Sequence, residues 1–225
     1  MSLVENRKLE KHQIQPLSLD EVHLFLKKVD PFYRPFFEVA FFTGMRGGEM
    51  AALKWRNVEL EKRTIRVTET RVYGEEGRPK TKGSYRTIDM LPITQRALRE
   101  QAARTMFKSD YVFLNKDGKP IDLETLRKNA WAKGLKRAGI VYRPMIQTRH
   151  TFATLMVSAG ENLGWVQKMM GHSSLKMIFE HYYAHIPNLT HQDGSLFLKE
   201  YEKRDPDLHQ IYIRQDSSSS NICNQ

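Results

Sequence analysis

The sequence predicts an α+β fold that is mainly α-helical, with one small β-sheet inserted early in the chain. Apolar residues recur at helical spacing before and after this sheet, and residues 64–68 and 86–90 alternate as strands do. Glycine and proline separate the segments. With 225 residues, of which 40% are hydrophobic, the chain can build a substantial core.

Three helices are predicted ahead of the sheet. Ser18 and Glu21 match a capping box, which marks the start of the first helix. Residues 32–43 are dense in aromatic side chains and predict a buried helix that stops at Gly44. A short third helix is predicted over residues 49–55.

A glycine-rich basic stretch, residues 74–83, joins the two strands and predicts a hairpin or small sheet with a long connection. Helical periodicity returns at residues 94–105, and residues 111–114 are predicted as a short strand. From residue 123 onward we expect pieces of helix with breaks at six positions: Gly134, Gly139, Pro144, Gly160, Gly171 and Pro187.

The charge and composition of the chain indicate which partners and which kinds of site it can have. The formal net charge is +10 and the pI is near 9.6, which favours an anionic partner, nucleic acid first and a membrane surface second. Neither an apolar run long enough to span a bilayer nor a secretory signal is recognisable. The single cysteine, Cys223, excludes an internal disulfide and a cysteine-based zinc site, and it fits the reducing cytoplasm.

Two early segments carry side chains suited to phosphate chemistry. In Thr-Gly-Met-Arg-Gly-Gly-Glu, residues 43–49, Arg46 at a helix start can bind a phosphate while Glu49 orients it. In Arg-Pro-Lys-Thr-Lys-Gly-Ser-Tyr-Arg, residues 78–86, a lysine between strands can protonate a leaving oxygen. Taken singly, a surface ion pair and a solvated basic loop are the commoner explanations.

Two later segments add an arginine and two histidines. Gln-Thr-Arg-His-Thr-Phe-Ala-Thr, residues 147–154, places Arg149 near the N-terminus of a helix that one of its threonines would cap. His150 is interpreted as a packing or supporting imidazole rather than a catalytic one. In Met-Gly-His-Ser-Ser, residues 170–174, His172 can donate to a phosphate oxygen.

Two adjacent tyrosines follow. The phenol oxygen of Tyr182 or Tyr183 can attack phosphorus if nearby cations lower its pKa, and simple packing is the alternative. His181 and His185 have the i, i+4 spacing of zinc ligands. Since no third ligand is evident, we expect no metal site.

Together and in this order, the segments resemble the tyrosine recombinase family, also called phage-type integrases. The matching stretches are residues 43–55, 79–88, 148–154 and 170–174, and the resemblance covers about residues 16–190. It implies a compact helical catalytic domain with a small three-stranded antiparallel β-sheet. It also implies site-specific DNA strand cleavage and rejoining through a 3′-phosphotyrosine, without metal, ATP or another cofactor.

The resemblance assigns the site residue by residue. It implies two arginines that clamp the scissile phosphate, a supporting acid, a lysine that protonates the departing 5′ oxygen, a histidine donor and a nucleophile: Arg46, Arg149, Glu49, Lys80, His172 and Tyr182. Lys82 is the alternative lysine, and with the two arginines and Lys80 it completes the expected DNA-binding set. Tyr182 lies ten positions after His172, within the family's usual spacing of nine or ten, whereas Tyr183 imitates the frequent Tyr-x-His ending and is the alternative nucleophile.

One position departs from the family pattern. The family commonly has histidine three residues before the second arginine, and this chain has Ile146. Isoleucine can neither donate a hydrogen bond nor move a proton, so impaired chemistry stays open. The alternatives are a catalytically silent DNA-binding remnant of a prophage and an activity like that of type IB topoisomerases.

The expected organisation is an arm or linker over residues 1–15, a catalytic domain over 16–190 and a C-terminal tail over 191–225. Residues 196–201 of the tail suit packing on a neighbouring protomer or on their own domain equally well. The N-terminal core-binding domain that the resemblance implies is not evident, so we expect the catalytic half of a longer protein. The expected partners are double-stranded DNA and further copies of the chain, which form a tetramer on DNA and are weakly associated or monomeric without it. No membrane partner is expected.

Overall fold

A computed structural model describes residues 14–77 and 85–182. Within these residues the α-helices are α1 (Leu19–Lys28), α2 (Arg34–Thr43), α3 (Gly47–Ala51), α4 (Pro92–Thr105), α5 (Leu123–Leu126), α6 (Ala132–Arg137), α7 (Gln147–Ser158), α8 (Leu163–Met170) and α9 (Lys176–Tyr182). A π-helical segment, Arg127–Trp131, joins α5 to α6. The mainly helical α+β fold predicted from the sequence is confirmed.

The strands form two small antiparallel sheets. They are β1 (Val58–Glu59), β2 (Thr64–Val67), β3 (Thr70–Val72), β4 (Glu75–Gly77) and β5 (Arg86–Asp89). The first sheet has the order β1-β2-β5, which confirms the expected three strands. The second is a hairpin of β3 and β4 that the sequence analysis did not predict. Lys54 anchors this hairpin, because its Nζ lies 2.9 Å from Glu76 Oε2.

The core is built around α2, an almost wholly buried aromatic helix that packs on α1, α4 and α7. The Phe25 ring centroid of α1 lies 5.0 Å from that of Phe37 and 4.8 Å from that of Trp131. Gly134 does not break the chain as predicted: it lies inside α6, where a Cβ would come within 2.6 Å of the Phe25 ring. Its small size lets α6 approach α1 closely.

The helix ends agree with the sequence in some places and differ in others. The capping box of Ser18 and Glu21 is confirmed, with both reciprocal hydrogen bonds present. Thr148 and Thr151 do not cap α7, because both lie within its first two turns and Ile146 occupies the N-cap position. The third helix ends at Ala51, four residues earlier than predicted.

The predicted strand at residues 111–114 is wrong. Its ends make only two isolated bridges, Lys54 with Tyr111 and Leu114 with Pro120. Several predicted features lie wholly or largely outside the described residues: the N-terminal arm, the C-terminal tail, Lys80, Lys82 and Tyr183. The domain boundaries therefore stay predictions.

Candidate active site

The first part of the site is the turn between α2 and α3. Gly44 ends α2 with a φ of 65°, a conformation that a glycine adopts without strain. Arg46 then occupies the N-cap position of α3, and the Glu49 carboxylate accepts hydrogen bonds from its backbone N–H at 2.8 Å and its Nη1 at 3.0 Å. The Arg46 side chain keeps 42% of its surface exposed. The predicted orientation of Arg46 by Glu49 is therefore present in the structure.

Arg86 of β5 is a site residue that the sequence analysis missed. It is buried and forks onto Glu49, with Nη1–Oε1 and Nη2–Oε2 distances of 3.0 and 2.8 Å. Its Nε donates to the carbonyl of Met169 on α8 at 2.7 Å. Burial acts to raise the pKa of Glu49, but the hydrogen bonds and charges of Arg86 and Arg46 outweigh it and lower the pKa. Glu49 is therefore a carboxylate shared by two guanidinium groups.

Arg149 of α7 is held by a backbone carbonyl, whereas Arg46 is held by a carboxylate. Only 5% of its surface is exposed, and its Nη1 donates to the carbonyl of Gly44. Its Nη2 is buried and has no hydrogen-bond partner among the described residues. Burial, and then the charge of Arg46, lower the pKa of Arg149 to about 9, so the group remains charged at neutral pH. A buried unpaired donor is costly, and an anionic oxygen would satisfy it.

His172 follows Gly171, which ends α8 with a φ of 65°. Two hydrogen bonds fix the turn: the His172 N–H donates to the Gln167 carbonyl at 3.2 Å, and Gln167 Nε2 donates to the His172 carbonyl at 3.1 Å. Within the described residues, the buried Nδ1 has no partner. Burial, with the charges of Arg149 and Arg46, lowers the pKa of His172 to about 3, so the imidazole is neutral at neutral pH.

Tyr182 of α9 is almost fully buried, with 1% of its surface exposed. Its Oη lies 2.6 Å from His150 Nδ1 on α7. Burial raises the pKa of Tyr182 to about 12, against the opposing charge of Arg149. Burial, and then the charges of Arg149 and His181, lower the pKa of His150 to about 4. At neutral pH a protonated phenol therefore faces a neutral imidazole.

The structure brings most of the expected residues into one electrostatic neighbourhood. The charge of Arg149 acts on the pKa of His150, His172 and Tyr182, and Arg149 in turn responds to Arg46, Glu49 and Arg86. Two guanidinium groups bind one carboxylate and a third interacts with it electrostatically, which leaves the cluster positively charged.

Ile146 is 41% exposed at the N-cap of α7 and lines a cavity of about 210 Å³ together with Gly47 and Arg149. The side chain of residue 146 therefore cannot donate the hydrogen bond or move the proton that a histidine at this position would. Among the described residues, we find no group of three or more potential metal-ligating side chains. The helices of this part of the chain include none that is long and apolar enough to cross a membrane.

This architecture and side-chain set define the class of protein. The sequence profile of the Phage integrase family matches residues 7–188, and the chain belongs to this family. The prophage integrase IntR of Escherichia coli is 30% identical over 202 residues, which cover 78% of this chain and 49% of that protein. A XerC-like tyrosine recombinase of Caldanaerobacter subterraneus is 34% identical over 67% of this chain and 44% of its own length. This chain thus spans about half the length of these relatives.

Solved structures show the same fold. The Tn1549 transposon integrase, in complex with a circular intermediate DNA, superposes with a TM-score of 0.71 at 19% identity, over 86% of this chain and 68% of that one. The XerA recombinase gives a TM-score of 0.64 at 23% identity, over 87% and 67% of the two chains. The catalytic domain of bacteriophage HP1 integrase gives 0.59 at 18% identity, over 86% of this chain and 99% of that domain.

Proposed function

We propose that this chain carries the catalytic domain of a site-specific DNA recombinase or integrase that cleaves and rejoins double-stranded DNA through a 3′-phosphotyrosine intermediate. In this proposal Arg46, Arg149 and His172 bind the scissile phosphate. Glu49 orients Arg46, and Tyr182 is the nucleophile. Family membership supports the reaction class, and the geometry of the described residues supports the assignment of roles.

The observation that carries the proposal is a pair of buried nitrogen atoms, unpartnered in the described part of the chain, in the cluster around Arg149, whose charge acts on the buried Tyr182. Arg149 Nη2 and His172 Nδ1 are both buried without a partner among the described residues. Such groups cost free energy in the unbound protein, and a phosphodiester would satisfy them while Arg46 approaches from the exposed side. Fixed donors of this kind stabilise the charge that develops on phosphate oxygens in the transition state.

The proposed chemistry balances without a metal or ATP. Tyr182 Oη forms a bond to phosphorus, the bond from phosphorus to the 5′ oxygen breaks, and Lys80 protonates that oxygen, with Lys82 as the alternative donor. The phosphotyrosine conserves the energy of the broken bond. A 5′ hydroxyl of a partner strand then attacks it, releases the tyrosine and completes the strand exchange.

The proposed partners follow from the reaction. Exchange between two duplexes requires four cleavage events, so we propose a tetramer assembled on DNA. The net charge of +10 would hold flanking phosphates and make DNA binding fall steeply with salt. We place this reaction in the cytoplasm.

The test is covalent capture. The full chain is incubated with a library of nicked duplexes whose central segment is randomised, so that cleavage next to the nick loses the 5′ fragment and traps the protein. We expect an adduct that survives detergent and is absent from Tyr182→Phe, with Tyr183→Phe as the matched control. DNA binding by the wild type without any adduct would contradict the proposal.

A second candidate, a DNA-binding module without catalysis, is favoured only by Ile146. The same assay separates the two, because such a module would retain salt-dependent DNA binding and give no adduct. An adduct with unrestrained relaxation of supercoiled DNA, and no joining of partner strands, would instead favour an activity like that of type IB topoisomerases.

A further inference from the structure

His150 is the described side chain that contacts the reactive atom of Tyr182. The Nδ1–Oη distance is 2.6 Å, within the range of a strong hydrogen bond. The two groups come from different elements, α7 and α9, which pack on each other. From the sequence, this histidine is interpreted as a packing or supporting imidazole rather than a catalytic one.

The protonation states give this hydrogen bond a direction. With pKa values of about 12 for Tyr182 and about 4 for His150, the phenol keeps its proton and the imidazole has a free lone pair at neutral pH. The phenol can then donate to Nδ1 while the ring proton resides on Nε2. A proton acceptor is therefore already in place on the oxygen that must lose its proton.

We infer that His150 is the general base for Tyr182: its Nδ1 accepts the phenol proton as Oη attacks phosphorus and returns it when the phosphotyrosine is resolved. This inference rests on the proposed function, since it concerns the same nucleophile. The proton that leaves Oη resides on His150, and the proton that reaches the 5′ oxygen comes from a different donor. Atoms and charges therefore balance in each half-reaction.

The surroundings of His150 explain why the transfer would occur only with DNA in place. Burial is the largest cause of its lowered pKa, and among the described residues the charged or titratable groups that act on it are Arg149, on its own helix, and His181 and Tyr182 on α9. The charge of Arg149 disfavours an imidazolium, and a bound phosphodiester would neutralise that charge. Substrate binding would thereby raise the proton affinity of His150 at the moment when Tyr182 must be deprotonated.

His150 also bears on the departure at Ile146. The two residues are four apart at the start of α7, and the His150 N–H contacts the Ile146 carbonyl at 3.4 Å. Positions i and i+4 share a helix face. An imidazole one turn further along the helix thus supplies a proton acceptor on the side of the helix where isoleucine supplies none.

The experiment compares single-turnover adduct formation by the full chain for His150→Gln, His150→Ala and the matched control His23→Ala at an exposed histidine of α1, using a nicked duplex recovered from the library. Glutamine can hydrogen-bond the phenol but cannot take its proton. We expect both His150 variants to react at least roughly 100-fold more slowly, as loss of a general base does. We expect unchanged DNA affinity, a near-wild-type rate for His23→Ala, and recovery of His150→Ala by added imidazole.

Several results would overturn the inference. A wild-type rate for His150→Gln would reduce the role to positioning, and a slow His150→Ala that imidazole does not accelerate would mean a structural role. An adduct that depends on Tyr183 instead of Tyr182 would also reject it while the proposed function survives. No adduct from the wild type would remove the proposed function and this inference together. Circular dichroism of each variant identifies misfolding, and His150→Gln decides the matter if His150→Ala does not fold.

Discussion

Arg46 and Arg149 are the same chemical group in one cluster, yet the protein holds them in opposite ways. Arg46 is half exposed and is paired with the buried carboxylate of Glu49. Arg149 is buried and bonds to a neutral carbonyl, and no carboxylate among the described residues forms a salt bridge with it. One arginine is therefore stabilised in the unbound protein, whereas the other carries a desolvation cost that a bound anion would offset.

The largest effect is expected on the free energy of unfolding when Glu49 is changed, because this carboxylate pairs with Arg46 and not with Arg149. Glu49→Gln removes the charge that Arg86 and Arg46 share and leaves Arg86 buried without its anionic partner. Breaking a buried pair from one side typically costs about 3–5 kcal/mol. Urea unfolding should show this loss in the free energy of unfolding. Glu61→Gln, which breaks an exposed pair with Arg99, should cost less than about 1 kcal/mol.

The next effect separates the two arginines directly. Arg149→Met should lower the rate of adduct formation by roughly 10²–10³-fold and at the same time raise the Tm, because it removes a buried charge. Arg46→Met should also slow the reaction but leave the Tm unchanged or lower, since its charge is solvated. Adduct kinetics and thermal unfolding of the two variants test this. A drop in Tm for Arg149→Met would mean that its bond to Gly44 outweighs the cost of its burial.

The residues of this site differ in how far the sequence alone reveals their roles. Arg46, Arg149 and His172 are recognisable because each lies in a local motif at a turn or helix start, and Tyr182 follows from its spacing after His172. Arg86 lies in the matching stretch 79–88, but its role is not recognisable, because its partner Glu49 is 37 residues away and nothing local marks a strand arginine as buried. The β3–β4 hairpin was missed for a related reason, since exposed strands such as Glu75–Gly77 lack an alternating apolar pattern.

The smallest effect is expected in the pH dependence of stability. His150 and His172 titrate near pH 4 and 3 in the folded protein, against 6.5 for an ordinary histidine. The unfolded chain then binds more protons below pH 6.5, so stability falls as the pH drops from 6.5 toward 4. Burial is the largest cause of both low pKa values; the charge of Arg149 lowers both further, whereas Arg46 acts on His172. Arg149→Met should therefore flatten the curve of Tm against pH more than Arg46→Met does. Equal slopes would contradict this.

The hydrogen bond between Arg149 and Gly44 joins residues 105 positions apart. Gly44 allows no larger residue, because a Cβ there would lie 2.6 Å from the Phe152 ring. During synthesis, the segment that holds Arg46, Glu49 and Arg86 leaves the ribosome well before α7. Closing so long a loop is among the slower events of folding. We therefore expect the arginine cluster to be completed only after α7 and α8 have been made, because Arg149 lies on α7 and Arg86 bonds to Met169 on α8, and a partly made chain does not yet present the buried cation of Arg149.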